Sequence, residues 1–201
     1  MKTWQRSIKR LLDVFGSGLM LLLFAPVMAL IALSIKLHDG GPVIYRRRVA
    51  GVKGEFDAFK LRSMCIDADE VLHRNPALRV EFEQNFKLKT DPRITPVGHV
   101  IRKFSLDELP QLVNVFRGEM SLVGPRMISP AEMDKFDNVR WIFHHMKPGL
   151  TGYWQVYGRQ EVSYARRVEM ELFYVEHWSL LLDFKILITT PFTVLRGAGA
   201  Y

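Results

Sequence analysis

VFGSGLMLLLFAPVMALIALSI, residues 14–35, runs for twenty-two residues without a charge between Asp13 and Lys36. About 20 apolar residues suffice to carry a helix across the ~30 Å hydrocarbon of a bilayer, so the run predicts membrane contact. It is too long for the apolar part of a signal peptide, and no small-residue cleavage site follows. Contact does not settle crossing. Pro26 removes a backbone hydrogen bond and crowds the preceding turn. The arms on either side, Val14–Ala25 and Val27–Ile35, are each about 13–18 Å long at 1.5 Å per residue. Either arm alone reaches about halfway through the core. Lys2, Arg6, Lys9 and Arg10 precede the run; Lys36, Arg46, Arg47, Arg48 and Lys53 follow it. A simple span carries its basic excess on the cytoplasmic side only. A helix broken at Ala25-Pro26, entering and leaving by the cytoplasmic face, accounts for the bend and both flanks. A Pro-kinked span, which membranes tolerate, is the alternative.

Around this segment the 201 residues suffice for one compact domain with a core, and are too few for two ordinary ones. Lys and Arg outnumber Asp and Glu by 28 to 21, and the pI is near 9.6. That excess suits nucleic acid, an anionic membrane surface or a phosphate-rich substrate. A lone cysteine, Cys65, excludes an internal disulfide and fits a reducing compartment. Arg46–Arg48 lies about ten residues from the apolar run with no nucleic-acid motif beside it, so it reads as a membrane-surface patch.

Past the turn at Gly40-Gly41-Pro42, Val43–Tyr45 is a short strand and Phe56–Arg62 alternates like another. Lys60 and Arg62 share one face of it, toward phosphate or water. Residues 66–86 are polar and helical, interrupted at Pro76. Val97–Lys103 and Leu109–Arg117 are short amphipathic helices, the second stopped by Gly118. Val162–Trp178 is an amphipathic helix with Val168, Leu172 and Val175 on its apolar face. Leu180–Leu195 is apolar but holds Asp183, Lys185 and Pro191, and reads either as core or as an interfacial helix. The expected fold is an α-rich α+β single domain: a re-entrant membrane helix over residues 1–38, and a body of short strands and interfacial amphipathic helices over 39–201, on the cytoplasmic face.

Reactive groups are densest from Arg102 to Arg126. Asp107 and Glu108 are adjacent carboxylates; such a pair suits Mg²⁺ together with substrate phosphates, and a carboxylate can act as a nucleophile at phosphorus. Nearby Arg and Lys would offset phosphate charge. A competing reading is structural. Ser105-Leu106-Asp107-Glu108 spells a capping box, with Ser105 at the N-cap and Glu108 three residues on.

Several stretches in order resemble the monotopic phosphoglycosyl transferases, the bacterial sugar transferase family that begins polysaccharide and glycoprotein glycan assembly. They are Gly41-Pro42-Val43 with Tyr45-Arg46, Phe59-Lys60-Leu61-Arg62-Ser63-Met64, Asp91-Pro92-Arg93-Ile94-Thr95, the near-continuous run from Arg102 to Arg126, and Lys147-Pro148-Gly149-Leu150-Thr151-Gly152. The resemblance implies a re-entrant helix and transfer of a phosphosugar from a UDP-sugar to polyprenol (undecaprenyl) phosphate. Asp107 would attack the β-phosphorus, releasing UMP and leaving an aspartyl-phosphosugar intermediate. Glu108 would complete the dyad and help hold Mg²⁺; Arg102 and Arg126, then Lys60 and Arg62, would hold phosphates. The implied location is the cytoplasmic leaflet of the inner membrane, with no nucleic-acid partner; the oligomeric state is open, a homodimer included. Larger relatives carry extra N-terminal membrane helices, so the chain resembles the minimal catalytic form. It departs from the family at Ala25 (often Ser), at Met127 (usually Pro) and at Arg47 (Gln in many members).

Overall fold

The structure, a computed structural model, describes residues 2–85, 88, 90–133, 141–158 and 162–195. The apolar run lies in α1 (Thr3–Asp39), which passes through Pro26 as one helix and ends at Gly40, in the left-handed conformation with φ +71°. The expected break at Ala25-Pro26 is therefore not a break in helical structure. Pro26 forfeits one hydrogen bond, whereas two separate arms would leave several polar backbone groups unpaired, which an apolar medium penalises.

Both ends of α1 are held by the same body. Near its start, Arg10 donates to the carbonyls of Val115 and Phe116, each at 2.7 Å. The Asp13 carboxylate accepts from Ser121 Oγ at 2.9 Å and from the Leu122 amide at 2.8 Å. Near its end, Ile35 is buried with Leu61 and Ile101, and Asp39 pairs with Arg62. Between these anchors Leu19, Leu22, Leu23, Val27 and Leu30 are exposed. So large an apolar surface marks an interaction site, and here it points to membrane association.

β1 (Ile44–Val49) and β2 (Phe56–Leu61) form an antiparallel hairpin in the register Tyr45↔Lys60 and Arg47↔Ala58. The first strand is longer than the sequence suggested and takes in Arg46–Arg48. Side chains alternate along a strand, so these arginines form no single patch: Arg46 and Arg48 point to one face, Arg47 to the other.

α2 (Ala68–Arg74) and α3 (Pro76–Asn85) are divided at Pro76 as expected; Phe86, the end of that stretch, lies outside the described residues. α4 (Pro96–Lys103) starts with Pro at its first position, and Thr95 Oγ1 accepts from the Gly98 amide at 2.9 Å. Gly98 has a packing reason: a Cβ there would collide with the Ser63 carbonyl. A 3₁₀ turn, Leu106–Glu108, leads into α5 (Gln111–Arg117), which Gly118 ends at φ +85°. β3 (Ser121–Val123) pairs in parallel with β4 (Gly149–Thr151). Around them lie α6 (Pro130–Met133), α7 (Trp141–His145), α8 (Tyr153–Tyr157), α9 (Tyr164–Glu176) and α10 (Leu180–Leu195).

The main core joins Val49 and Ala58 of the hairpin, Leu112 and Val115 of α5, Leu122 and Val123 of β3, Tyr174 of α9 and Ile186 of α10. In α9, Val168, Leu172 and Val175 pack inward as their spacing required, but the buried face also includes Met170, Glu171 and Tyr174. α10 has one exposed apolar side and one buried side. Leu181, Phe184, Ile188, Phe192 and Leu195 form an exposed stripe at helical spacing, while Asp183 turns inward. It accepts from Lys9 at 2.5 Å, Tyr174 at 2.7 Å and Trp178 at 3.2 Å. Several partners are what a buried carboxylate requires, and here they fasten α10 to α1 and α9.

Candidate active site

Asn114 brings the hairpin to the reactive stretch. Its Oδ1 accepts from the Phe59 amide at 3.0 Å, and its Nδ2 donates to the Asp57 carbonyl at 2.8 Å and to Glu119 at 2.7 Å. With its oxygen and both amide protons engaged and the residue fully buried, it fixes α5 against β2. Lys60 on β2 therefore stands over the turn that precedes α5.

That turn is not capped as the sequence allowed. Ser105 sits at φ +53° and its side chain makes no cap hydrogen bond. A non-glycine residue held there costs about 1–3 kcal/mol, and such strain persists only where the surroundings enforce it. This segment of three residues, shorter than one full turn of α-helix, then presents both carboxylates inward: Asp107 is 6% exposed.

The two carboxylates have different fates. Arg126 donates to Glu108 through both terminal nitrogens, at 2.9 and 2.6 Å, and Lys60 donates to it at 2.7 Å. Burial alone would raise the Glu108 pKa, but Arg126 and Lys60 more than offset it and hold the group well below the usual carboxylate range. Glu108 is a fixed anion with both oxygens engaged. Asp107 receives only a long contact from Lys60, at 3.5 Å. Burial pushes its pKa up, opposed by Lys60 and, more weakly, by Arg102 and Arg126, while neighbouring Glu108 adds to the rise. One member of the pair is clamped; the other keeps its lone pairs.

The remaining sequence candidates divide. Arg102 donates to Ser63 Oγ at 2.8 Å through Nε, leaving its terminal nitrogens available beside Asp107, whose charge opposes the downward pull of burial on the arginine. Arg62 is spent on structure: it pairs with Asp39 and donates to the Pro42 carbonyl at 2.6 Å, which ties the end of α1 to β2. It makes no hydrogen bond to the dyad. Met127, where the family usually has proline, is buried in the main core.

Two residues escaped the sequence reading. Glu171, 1% exposed, accepts from the Arg126 amide at 3.0 Å, and its other oxygen has no partner among the described residues. Burial raises its pKa to about 7. Nothing in the alternation of α9 marks a glutamate between two apolar residues as special. Arg47 is the second: the sequence reading put it in a surface patch, whereas strand alternation, had the strand been extended to Val49, would have set it on the same face as Lys60.

As a place for Mg²⁺ the donor set is short. No cluster of three or more His, Cys, Asp or Glu occurs among the described residues, and the Glu108 oxygens are occupied. Mg²⁺ is commonly held by one or two carboxylates with the rest supplied by substrate phosphates and water. Asp107 fits that role only together with a phosphate ligand.

Fold and site together put a buried carboxylate pair and its cations on a body that carries a long helix with an exposed apolar face. Residues 4–197 match the family model described as bacterial sugar transferase. The chain is 45% identical over 206 residues to the undecaprenyl-phosphate galactose phosphotransferase of Salmonella typhimurium, covering 100% of this chain and 43% of that protein. It is 44% identical over 198 residues to the exopolysaccharide production protein ExoY of Rhizobium meliloti, covering 96% of this chain and 88% of that protein. To the UDP-galactose-lipid carrier transferase of Erwinia amylovora it is 44% identical over 200 residues, with 98% and 42% covered. The chain thus spans less than half the length of two of these relatives. It belongs to the bacterial sugar transferase family.

Proposed function

We propose that this chain transfers a phosphosugar from a UDP-sugar to polyprenol phosphate, giving polyprenol diphosphate sugar and UMP, and so starts assembly of a bacterial glycan. The observation that carries the reading is the asymmetry of the dyad. A buried carboxylate with free lone pairs, Asp107, lies beside one made permanently anionic by Arg126 and Lys60. The first is suited to bond with phosphorus. The second fixes the cations at which phosphate charge collects. The names of two of these relatives, which specify a lipid carrier or undecaprenyl phosphate together with galactose, support the substrate classes.

In this mechanism Lys60 opposes protonation of Asp107 and faces the reacting phosphate. Arg102 holds a phosphate oxygen with its free terminal nitrogens. Glu108 keeps Arg126 in place rather than moving a proton. Mg²⁺, held by Asp107 with diphosphate oxygens, would neutralise charge on the donor. Preorganised cations in a site closed to water stabilise developing charge without reorganising, which is where most of the rate enhancement in such reactions arises.

Substrates of opposite solubility must meet at an interface. The exposed middle of α1, with both its ends anchored to one body, supports a re-entrant placement in the cytoplasmic leaflet of the inner membrane, and the exposed stripe of α10 supports an interfacial seat. Purified protein in nanodiscs, given Mg²⁺, a panel of UDP-sugars and polyprenol phosphate, should release UMP with at least one donor. Asp107→Asn should abolish release, and a chelator should suppress it in the unsubstituted protein. Release that survives in Asp107→Asn would remove the nucleophile from the account.

A further inference from the structure

Several buried or half-buried basic side chains already have anionic partners. Lys60 and Arg126 are held by Glu108 at 2.7 and 2.6 Å, Arg62 by Asp39, Arg93 by Asp91 at 2.8 Å and Arg167 by Glu132 at 2.9 Å. Arg47 differs. Its one ion pair among the described residues is with Glu132 at 3.8 Å, beyond hydrogen-bond reach, and Glu132 already serves Arg167. About a third of the Arg47 side chain is exposed.

The hairpin register directs this group. Arg47 lies opposite Ala58 and Tyr45 opposite Lys60, so Arg47 projects from the same face as Lys60, diagonally one step along. Diagonal neighbours on a face are about 7–8 Å apart, within reach for long side chains. Ala58 has only a methyl group to cover that step. After burial, the largest influence lowering the Arg47 pKa is the positive charge of Arg126, and Glu108 is among the groups opposing it. Two guanidiniums thus face one region, one neutralised by Glu108 and one not. Like charges held together in a half-open place are stabilised by an anion.

The reaction proposed above fixes which anion. In the first half, an Oδ of Asp107 forms a bond to the β-phosphorus. The bond from that phosphorus to the oxygen bridging to the α-phosphate breaks, and its electron pair leaves with UMP. In the second half, a phosphate oxygen of the acceptor bonds to the same phosphorus and the Oδ–P bond breaks, regenerating the carboxylate. Entering and leaving oxygens are roughly in line in each displacement. Asp107 enters in one half and leaves in the other, so the phosphate of UMP and the phosphate of the acceptor take the same position in turn, across from Asp107. One cationic seat must serve both.

Resting on that reading of the reaction, we infer that Arg47, beside Arg126, is the binding residue for this shared phosphate: the α-phosphate of the donor in one half-reaction and the acceptor's phosphate in the other. Arg102, next to Asp107, is left for the phosphate that is transferred. The nonspecific alternative, a surface arginine serving only lipid headgroups, makes a different forecast, because headgroup attraction does not touch the soluble donor.

The test compares Arg47→Gln and Arg47→Lys with the unsubstituted protein in nanodiscs of neutral lipid, measuring KM for the UDP-sugar, KM for polyprenol phosphate and inhibition by UMP. Loss of one charge-assisted contact predicts about a tenfold rise in each of the three constants for Arg47→Gln. Arg47→Lys should recover part of each loss. A rise confined to polyprenol phosphate assigns Arg47 to the lipid alone and overturns the shared seat, as does a rise confined to the donor. Three unchanged constants overturn Arg47 as a ligand. If the unsubstituted protein releases no UMP from any donor, the reaction itself is wrong. That outcome is distinct from an active enzyme indifferent to Arg47.

Discussion

Replacing Arg126 by Met leaves Glu108 buried with Lys60 as its one cationic partner, since the two hydrogen bonds at 2.9 and 2.6 Å disappear. Breaking a buried pair by removing one member typically costs about 3–5 kcal/mol. Its dependence on pH distinguishes this from generic core damage. With Arg126 present, Glu108 is held below the usual carboxylate range, so it is ionised in the folded protein throughout pH 5–8. In the variant, burial dominates and the folded protein retains the Glu108 proton to a higher pH. The unfolded chain releases it at a pKa of about 4.3. Between those two values the folded variant binds one more proton than its unfolded state, so its stability falls with rising pH by about 1.36 kcal/mol per unit. The deficit relative to the unsubstituted protein should therefore be largest at pH 8 and smaller by about 2–3 kcal/mol at pH 5. At about 2–4 °C per kcal/mol for a chain of this size, the pH 8 deficit corresponds to a fall in Tm of about 6–20 °C. Tryptophan-fluorescence melts in nanodiscs across pH 5–8 measure it. Glu171 titrates in both proteins and largely cancels, because the Arg126 amide that binds it survives the substitution. Adding Glu108→Gln to Arg126→Met removes the stranded charge and should restore most of the Tm. A deficit under about 2 °C at pH 8, or one equal at both pH values, would show that the clamp on Glu108 is not what the geometry makes it.

Two other outcomes follow from the same structure. Burial raises the Glu171 pKa to about 7, so folding stability should be intact below the unfolded value of about 4.3 and decline as pH rises toward 7. Glu171→Gln keeps an acceptor for the Arg126 amide and removes that decline; it should melt above the unsubstituted protein at pH 8 and alongside it at pH 5, and a lower Tm at pH 8 would contradict the buried, titrating carboxyl. For topology, single cysteines at Lys2 and Lys53 in a Cys65→Ser background should react with a membrane-impermeant reagent from the same side of the membrane, whereas labelling from opposite sides would mean that α1 crosses.

What the sequence disclosed depended on how local the cause was. The apolar run, the stop at Gly118, the division at Pro76 and the apolar face of α9 are each set by residues within one or two turns, and each was legible. Asp107 and Glu108 were legible as a pair of carboxylates but not as a conformation. A capping box and a carboxylate pair use the same four letters, and only the strained Ser105, enforced by long-range packing, decides between them. Lys60 and Arg62 looked equivalent because a strand face says nothing about what lies opposite; the dyad meets one and Asp39, at the end of α1, meets the other. The parallel pairing of β3 with β4 and the burial of Glu171 depend on segments far apart in the chain, and no periodicity records them.

The same non-local contacts explain how an apolar helix can govern chemistry on its polar side. Arg10 binds the carbonyls of Val115 and Phe116 at the end of α5, where the negative end of the helix dipole favours a cation. Asp13 binds β3 two residues before the Gly124-Pro125-Arg126 turn, and Lys9 donates to the Val123 carbonyl at 2.9 Å as well as to Asp183. α5 begins directly after the dyad, and β3 leads directly to the arginine that clamps it. Three charged residues just before the apolar run thus register both halves of the site against α1. If α1 lies in the bilayer, its depth sets the height of Asp107 above the lipid. That coupling accounts for the position of charge at residues 9, 10 and 13, immediately before a segment that otherwise excludes it.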